Sequence, residues 1–130
     1  MILGTSNFCL SLSYSGTRAV AAIANGPIGV DAETIRPLDD LDTLIAETCH
    51  CSEQVVLNGT DPTDRLRKFY EIWTGKEAYL KALGAGLSIA PERISLSEHP
   101  GRVFLDGCDT GWSVYFFCEM GGEVVSIAKL

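Results

Sequence analysis

The sequence has few basic residues and no long apolar run. Its 130 residues include 10 Lys and Arg against 17 Asp and Glu, a formal net charge of −7. A nucleic-acid partner is therefore not expected, because phosphate backbones require clustered cations. No stretch approaches the roughly 18 apolar residues of a transmembrane helix. The N-terminus also lacks the basic segment that opens a signal peptide, so we expect a cytoplasmic protein without a membrane partner.

Cysteine usage gives no sign of a disulfide framework. The five cysteines are an odd number and are scattered through apolar segments, which is typical of reduced thiols. Cys49, His50 and Cys51 are adjacent, but no second pair of ligands accompanies them, so we do not expect zinc there. The length predicts one domain over residues 1–130, long enough to bury a core.

A long amphipathic helix is predicted over residues 64–88. Asp61 followed by Pro62 is typical of an N-cap and a first helical residue, and Gly84 and Gly86 are stop signals. Apolar residues recur along it at helical spacing and predict a face turned toward a core. They are Leu66, Phe69, Trp73, Leu80 and Leu83.

Glu77 lies on this apolar face, one turn after Trp73. A carboxylate in that position is costly unless a cation, a metal or a proton meets it. The alternative is a surface ion pair with Lys81 at i+4, which stabilises a helix by only about 0.2–0.5 kcal/mol. The helix alone does not decide between these two interpretations.

Besides Glu77, a pair of carboxylates ends a predicted strand at residues 29–33, GVDAE. Asp31 and Glu33 are two residues apart and therefore project from the same side of the strand. Since two like charges side by side repel, either the strand end is exposed or both residues bind a cation. Hard oxygen ligands without nearby His or paired Cys favour magnesium. A D-x-E sequence alone is weak evidence.

The remaining pattern predicts an α+β fold, with a mostly antiparallel sheet packed against the long helix. Alternation and turn signals predict further strands, and residues 37–58 predict one or two helices. The predicted strands cover residues 8–14, 19–24, 94–96, 102–105, 112–118 and 124–128.

Two motifs resemble the 4'-phosphopantetheinyl transferase superfamily. They are GPIGVDAE at residues 26–33 and FYEIWTGKEAYLKALGAGLS at residues 69–88. The preceding LSYSG at residues 12–16 is similar to the S-x-S strand of the surfactin-synthetase-activating type. The resemblance implies transfer of the 4'-phosphopantetheine moiety of coenzyme A to a serine of an acyl or peptidyl carrier protein. It also implies that Asp31, Glu33 and Glu77 bind magnesium, and that Glu77 or a water beside it accepts the serine proton.

The resemblance implies further contacts with coenzyme A. Lys81 would face the bridging or leaving phosphate oxygen, Lys76 would pair with a phosphate, and Ser13 would hydrogen-bond the pyrophosphate. For Lys76 the alternative is an ordinary solvent-exposed side chain. The family commonly has S-H-S where this chain has Tyr14 between two serines. Because Tyr14 supplies no positive charge, weaker coenzyme A binding or a different donor is expected.

Seven of the ten basic residues lie near these motifs in the sequence. We expect them to concentrate positive charge around the site, although Arg65, Arg67 and Lys68 also fit an ordinary solvated face. The seven are Arg18, Arg36, Arg65, Arg67, Lys68, Lys76 and Lys81. Gly75, inside the long helix, predicts close approach of a ligand or a neighbouring strand.

Surfactin-type transferases are about twice as long and have two similar halves, and this chain resembles the metal-binding second half. We therefore expect a homo-oligomer, with a trimer slightly favoured over a two-fold dimer. A non-catalytic or degenerate module that binds carrier protein or coenzyme A is the main alternative. A magnesium-dependent phosphohydrolase acting on coenzyme A is a third.

Overall fold

The computed structural model describes residues 2–3, 8–84, 88–97, 101–119 and 122–130. A short 3-10 helix, Pro91–Arg93, precedes the fifth of its strands. The elements in chain order are β1 Ile2–Leu3, β2 Phe8–Ser15, β3 Arg18–Ala24, β4 Ile28–Thr34, α1 Leu41–Thr48, α2 Cys51–Asn58, α3 Pro62–Leu83, β5 Ile94–Leu96, β6 Gly101–Leu105, β7 Cys108–Glu119 and β8 Glu123–Lys129.

The strands form two antiparallel sheets, which confirms the predicted α+β class. Sheet A has the order β1-β2-β3, and sheet B has the order β4-β8-β7-β6-β5. The four C-terminal strands, β5 to β8, therefore form a meander. Its last strand, β8, also pairs with β4. No helix in the described part of the chain is both long and apolar enough to cross a bilayer.

The β6–β7 hairpin is tighter than predicted. Asp106 and Gly107 both have positive φ, 51° and 82°, which is the geometry of a two-residue hairpin turn that matches strand twist. β7 consequently begins at Cys108, four residues before the predicted start at Trp112. Gly111, which precedes the predicted start of this strand, lies inside it with φ 83°, next to a shift in register.

Helix α3 begins and ends where its local signals place it. Asp61 is the N-cap, Pro62 is in the first turn, and Gly84 closes the helix in the left-handed conformation with φ 66°. The predicted extension to Ser88 is wrong, since the helix ends at Leu83. Gly86 lies outside the described residues.

One face of sheet B packs against α3. Thr74 and Ser126 share a buried hydrogen bond of 2.6 Å between helix and sheet. Gly75 lies against the strands, because a Cβ there would be 2.7 Å from a Leu96 methyl and 3.2 Å from Val114. Of the two alternatives for Gly75, close approach of a neighbouring strand is therefore the one observed.

Gly29 brings the helix still closer to β4. A Cβ at this position would lie 1.8 Å from the carbonyl oxygen of Ala78 and 2.7 Å from the backbone nitrogen of Ala82. Only a glycine lets the backbone of α3 rest directly on the strand. Asp31 and Glu33 follow Gly29 at alternate positions, and they therefore share the strand face that meets α3.

Sheet A packs on the opposite face of β4 and β8, and its serines bind the free edge of β4. Ala22 of β3 packs with Val30, Ala32 and Val125 in a small apolar cluster between the sheets. Serine side chains replace a backbone ladder along the edge. The contacts are Val30 N to Ser11 Oγ at 3.0 Å, Ala32 N to Ser13 Oγ at 3.0 Å, and Ser15 Oγ with Thr34 Oγ1 at 2.8 Å.

Replacing Gly29 with alanine should destabilise the fold by about 3 kcal/mol or more, because backbone atoms of α3 cannot move aside as a flexible side chain can. Urea denaturation measures the free energy of unfolding. Gly26→Ala is the matched control, since a Cβ there meets no atom within 4 Å, and it should stay within about 0.5 kcal/mol of the parent. Equal stability of the two variants would refute the close contact.

Candidate active site

Asp31 lies at the junction of β4, β2 and α3. The whole residue is only 5% exposed. Its Oδ1 accepts hydrogen bonds from Lys81 Nζ at 3.0 Å and from Ser13 Oγ at 3.3 Å. Its Oδ2 is buried and has no hydrogen-bond partner. Burial raises the pKa of the Asp31 carboxyl above its ordinary value, although the hydrogen bond and charge of Lys81 act in the opposite direction.

Glu33 and Glu77 are partly buried beside Asp31. Burial, followed by the charges of Asp31 and Glu77, raises the pKa of Glu33. Burial, followed by the charge of Asp31, raises the pKa of Glu77. Asp31 therefore lies close enough to both glutamates, and Glu77 close enough to Glu33, to affect their ionisation.

The three carboxylates do not form a closed ligand shell. Within the described residues, no group of three His, Cys, Asp or Glu side chains is close enough to hold a metal ion. The chemistry nevertheless fits a hard divalent cation, because all three groups offer oxygen and one oxygen of Asp31 is buried without a partner. Magnesium binding by Asp31, Glu33 and Glu77 stays a prediction.

Lys81 lies between β2 and β4 at the edge of this acidic cluster. Besides Asp31, its Nζ donates to the Val30 carbonyl at 3.1 Å and is 3.5 Å from the Leu12 carbonyl. In the described part of the chain its ion pair is with Asp31, so the alternative surface pair with Glu77 is not formed. About a third of the Lys81 side chain remains exposed, which leaves it accessible to a ligand.

Lys76 does not have the surroundings expected for either sequence interpretation. Its side chain is only 1% exposed, and its Nζ donates to Glu53 Oε1 at 2.5 Å, Thr48 O at 2.9 Å and Pro91 O at 3.0 Å. A solvent-exposed Lys76 is therefore wrong. The expected phosphate contact is also absent from this arrangement, since protein acceptors already take all three N–H groups of the ammonium.

Glu53, the partner of Lys76, is a residue that sequence reasoning missed. Its Oε1 also accepts from the backbone nitrogen of His50 at 2.8 Å, and its Oε2 accepts from Leu96 N at 3.0 Å. His50 and Glu53 form a capping box at the start of α2. The glutamate three residues after a capping residue was the available signal, but it predicts only the local hydrogen bond and not the lysine.

Ser13 and Tyr14 point to opposite faces of β2. Ser13 is 4% exposed and binds Asp31 and the backbone of Ala32, whereas Tyr14 is 74% exposed on the outer face of sheet A. One phosphate group could not readily contact both side chains on the same chain. The coenzyme A contacts expected for Ser13 and Tyr14 stay predictions.

The predicted concentration of positive charge around the site is not observed. Arg65 pairs with Asp42 at 2.6 Å and Arg18 with Glu123 at 3.7 Å. Residues 65–68 open α3, about 14–18 Å along the helix axis from Glu77. Arg36 and Lys81 remain as cations that act on Glu33, where both lower its pKa.

A separate cavity of about 280 Å³ lies on the other side of α3. Val56, Ile72, Leu96 and Phe116 provide its apolar wall. None of the three carboxylates lines it, and Ile72 is on the helix face opposite Glu77, because five residues rotate the helix by about 140° from that side chain. The cavity is therefore not part of the acidic site.

A comparison with protein families identifies the superfamily of the chain. The model of the family described as "4'-phosphopantetheinyl transferase superfamily" matches residues 27–128. The chain belongs to this superfamily. The matched range includes the acidic residues, Lys76 and Lys81, whereas Ser13 and Tyr14 precede it.

Two curated phosphopantetheinyl transferases illustrate the relationship. The protein gsp of Aneurinibacillus migulanus is 38% identical over 80 residues, which cover 61% of this chain and 32% of that protein. The protein psf-1 of Bacillus pumilus is 32% identical over 102 residues, which cover 78% of this chain and 40% of that protein. The chain thus spans less than half the length of either relative.

Solved structures share the fold of this phosphopantetheinyl transferase family member. One is a holo-(acyl-carrier-protein) synthase from Bacillus anthracis str. Ames in complex with CoA (3',5'-ADP). Its TM-score is 0.62 at 20% identity, and the match covers 78% of this chain and 92% of that chain. A Thermotoga maritima holo-[acyl-carrier-protein] synthase gives a TM-score of 0.61 at 18% identity, with 78% of this chain and 61% of that chain covered.

Breaking the interior pair should destabilise this superfamily member strongly. Lys76→Met should lower the free energy of unfolding by about 3–5 kcal/mol, because it leaves the Glu53 carboxylate buried without its cation. Adding Glu53→Gln should recover part of that loss, since the buried charge is removed. Lys129→Met, at an exposed lysine, is the control and should change stability by no more than about 0.5 kcal/mol.

Urea denaturation of the four proteins measures both effects. A Lys76→Met variant as stable as the parent, or a double variant less stable than Lys76→Met, would contradict the assignment of this pair as a structural element.

Proposed function

We propose that this chain uses magnesium to transfer the 4'-phosphopantetheine moiety of coenzyme A to a serine of an acyl or peptidyl carrier protein. The supporting observation is the gathering of Asp31, Glu33 and Glu77 beside Lys81, where α3 rests on β4. The names of the relatives support the reaction, and coenzyme A is named with one structure of similar fold.

The reaction requires a serine oxygen to bond to a pyrophosphate phosphorus while the bond from that phosphorus to the bridging oxygen breaks. Adenosine 3',5'-bisphosphate leaves with the bond electrons. Catalysis of such a step depends on positioning and on neutralising charge at the phosphate oxygens. Asp31, Glu33 and Glu77 would hold the magnesium ion, whose chemical contribution is Lewis-acid neutralisation of the pyrophosphate.

Glu77 is proposed to accept the proton of the attacking serine. In the metal-free protein its pKa is raised by burial and by the charge of Asp31. A carboxylate within hydrogen-bond reach of the serine hydroxyl can accept its proton. It belongs to α3, whereas Asp31 and Glu33 belong to β4, so the acceptor and the other two carboxylates are held by different elements. A hydrogen bond from the serine to Glu77 would complete this arrangement.

Lys81 is proposed to contact the leaving phosphate. Its ammonium already lies at the acidic cluster, on Asp31 Oδ1 at 3.0 Å, and its side chain is partly exposed. A divalent cation held by Asp31 would weaken the attraction between Asp31 and Lys81, and the Lys81 ammonium would then be free to contact a phosphate oxygen. Lys81 then neutralises charge that grows on the departing oxygen.

A transfer assay tests the function directly. Coenzyme A, magnesium and an apo carrier protein are incubated with the chain, and intact-mass spectrometry follows gain of phosphopantetheine by the carrier. Glu77→Gln should lower the rate by about 100-fold or more, the range for loss of a general base. Glu47→Gln, on the exposed side of α1, is the matched control and should retain the parent rate. Equal rates for both variants would contradict the catalytic assignment of Glu77.

A non-catalytic module that binds coenzyme A or a carrier protein is the second candidate. It is favoured by the pairing of Asp31 with Lys81 and by the absence, among the described residues, of a closed metal-ligand group. This candidate predicts that calorimetry detects binding of the carrier protein or of coenzyme A, whereas the transfer assay shows no gain of mass by the carrier. Binding together with a mass gain supports the transferase.

We further propose a homo-oligomer, as a trimer or a two-fold dimer. Supporting this, the outer face of sheet A is apolar and exposed at residues that no described element covers: Phe8, Leu12, Tyr14 and Ile23. Size exclusion with light scattering should give two or three copies at micromolar concentration, whereas a monomer would count against the proposal. A cytoplasmic location stays a prediction.

A further inference from the structure

The three serines on one face of β2 offer an internal comparison. Ser11 and Ser13 each accept a hydrogen bond from a backbone N–H of β4, and Ser15 shares one with the Thr34 hydroxyl. All three therefore fasten sheet A to the edge of β4. Only Ser13 also donates to a carboxylate, Asp31 Oδ1, at 3.3 Å.

We infer that Ser13 is a positioning residue that orients Asp31 toward the divalent cation. Its hydroxyl has a fixed direction, because accepting from Ala32 N at 3.0 Å turns its proton toward Asp31. With Lys81, Ser13 occupies Oδ1 and leaves Oδ2 as the buried oxygen without a partner. The inference rests on the proposed magnesium site.

The contacts of Lys81 explain why Ser13 is needed. Lys81 is itself held by the Val30 carbonyl, so its ammonium stays beside Asp31 whether or not Ser13 is present. Without the serine, the carboxylate is free to rotate and offer both oxygens to Lys81. A cation would then have to compete with the lysine for each oxygen, and loss of such an outer hydrogen bond typically costs about 10- to 100-fold in metal affinity.

This role differs from direct contact with the pyrophosphate of coenzyme A. A serine that binds the pyrophosphate affects coenzyme A affinity and leaves metal affinity of the free protein unchanged. A serine that orients Asp31 affects metal affinity when no coenzyme A is present. The two roles are therefore separated by a metal titration of the free protein.

The experiment titrates Mn²⁺ into the chain without coenzyme A and follows the free ion by electron paramagnetic resonance. Ser13→Ala should weaken Mn²⁺ binding by about 10-fold or more. Ser11→Ala and Ser15→Ala each remove a bond between β2 and β4 but do not touch Asp31, and they should bind Mn²⁺ as the parent does. Ser13→Thr keeps the hydroxyl and should restore the affinity.

Each other outcome overturns a distinct statement. If the parent does not bind Mn²⁺, the proposed metal site fails and the role of Ser13 fails with it. If the parent binds and Ser13→Ala binds equally well, only the role of Ser13 is wrong. Equal weakening by all three alanine variants would mean a general loss of strand contact, which also refutes the inference. Should Ser13→Ala not fold, Ser13→Cys keeps the volume with a weaker donor, and it must likewise weaken Mn²⁺ binding.

Discussion

The direct contact between the backbone of α3 and β4 at Gly29 is the constraint on which the site depends. A glycine is required there because a Cβ would overlap the carbonyl oxygen of Ala78. With the helix this close, Glu77 affects the ionisation of Glu33, and Asp31 affects that of both glutamates. The same packing that closes the core therefore places like charges together in partly buried surroundings, where repulsion is stronger than in water.

Two lysines of α3 form ion pairs in different surroundings. Lys76 is enclosed with Glu53 and two backbone carbonyls, so every donor is satisfied and the pair joins α3 to α2. Lys81 is partly exposed and forms its ion pair with Asp31, and all three carboxylates keep raised pKa values although the charge of Lys81 lowers each of them. The interior pair is thus part of the scaffold, whereas the partly exposed Lys81 stays accessible to a ligand. Five residues along one helix separate the buried lysine from the partly exposed one.

Local signals predicted most of the helices and strands but not all of their ends, and they gave no access to long-range contacts. Asp61, Pro62 and Gly84 were identified as start and stop signals of α3, because capping depends on neighbouring residues, although the helix was predicted to continue to Ser88. The position of Glu77 on an apolar face pointed to the acidic site, since helical periodicity decides which side chains share a face. The Lys76–Glu53 pair was missed because its members are 23 residues apart on different helices, and no local pattern joins them. Likewise, alternation over residues 8–14 predicted a strand, but it did not reveal which strand edge the serines of β2 would bind.

The central claim is that the fold holds these carboxylates in mutual repulsion that a divalent cation relieves. Because burial and Asp31 raise the pKa of Glu77 above its ordinary value of 4.5, the stability that this group confers below that pH is lost as pH rises through the raised value. The most direct measurement is the free energy of unfolding of the parent and of Glu77→Gln between pH 4 and pH 8 (about the range in which carboxylates of raised pKa titrate), with and without Mg²⁺. We predict that the variant becomes the more stable protein toward neutral pH, and that saturating Mg²⁺ removes this advantage by stabilising the parent. A parent that is at least as stable as the variant at neutral pH without Mg²⁺, or a difference that Mg²⁺ leaves unchanged, would contradict the account.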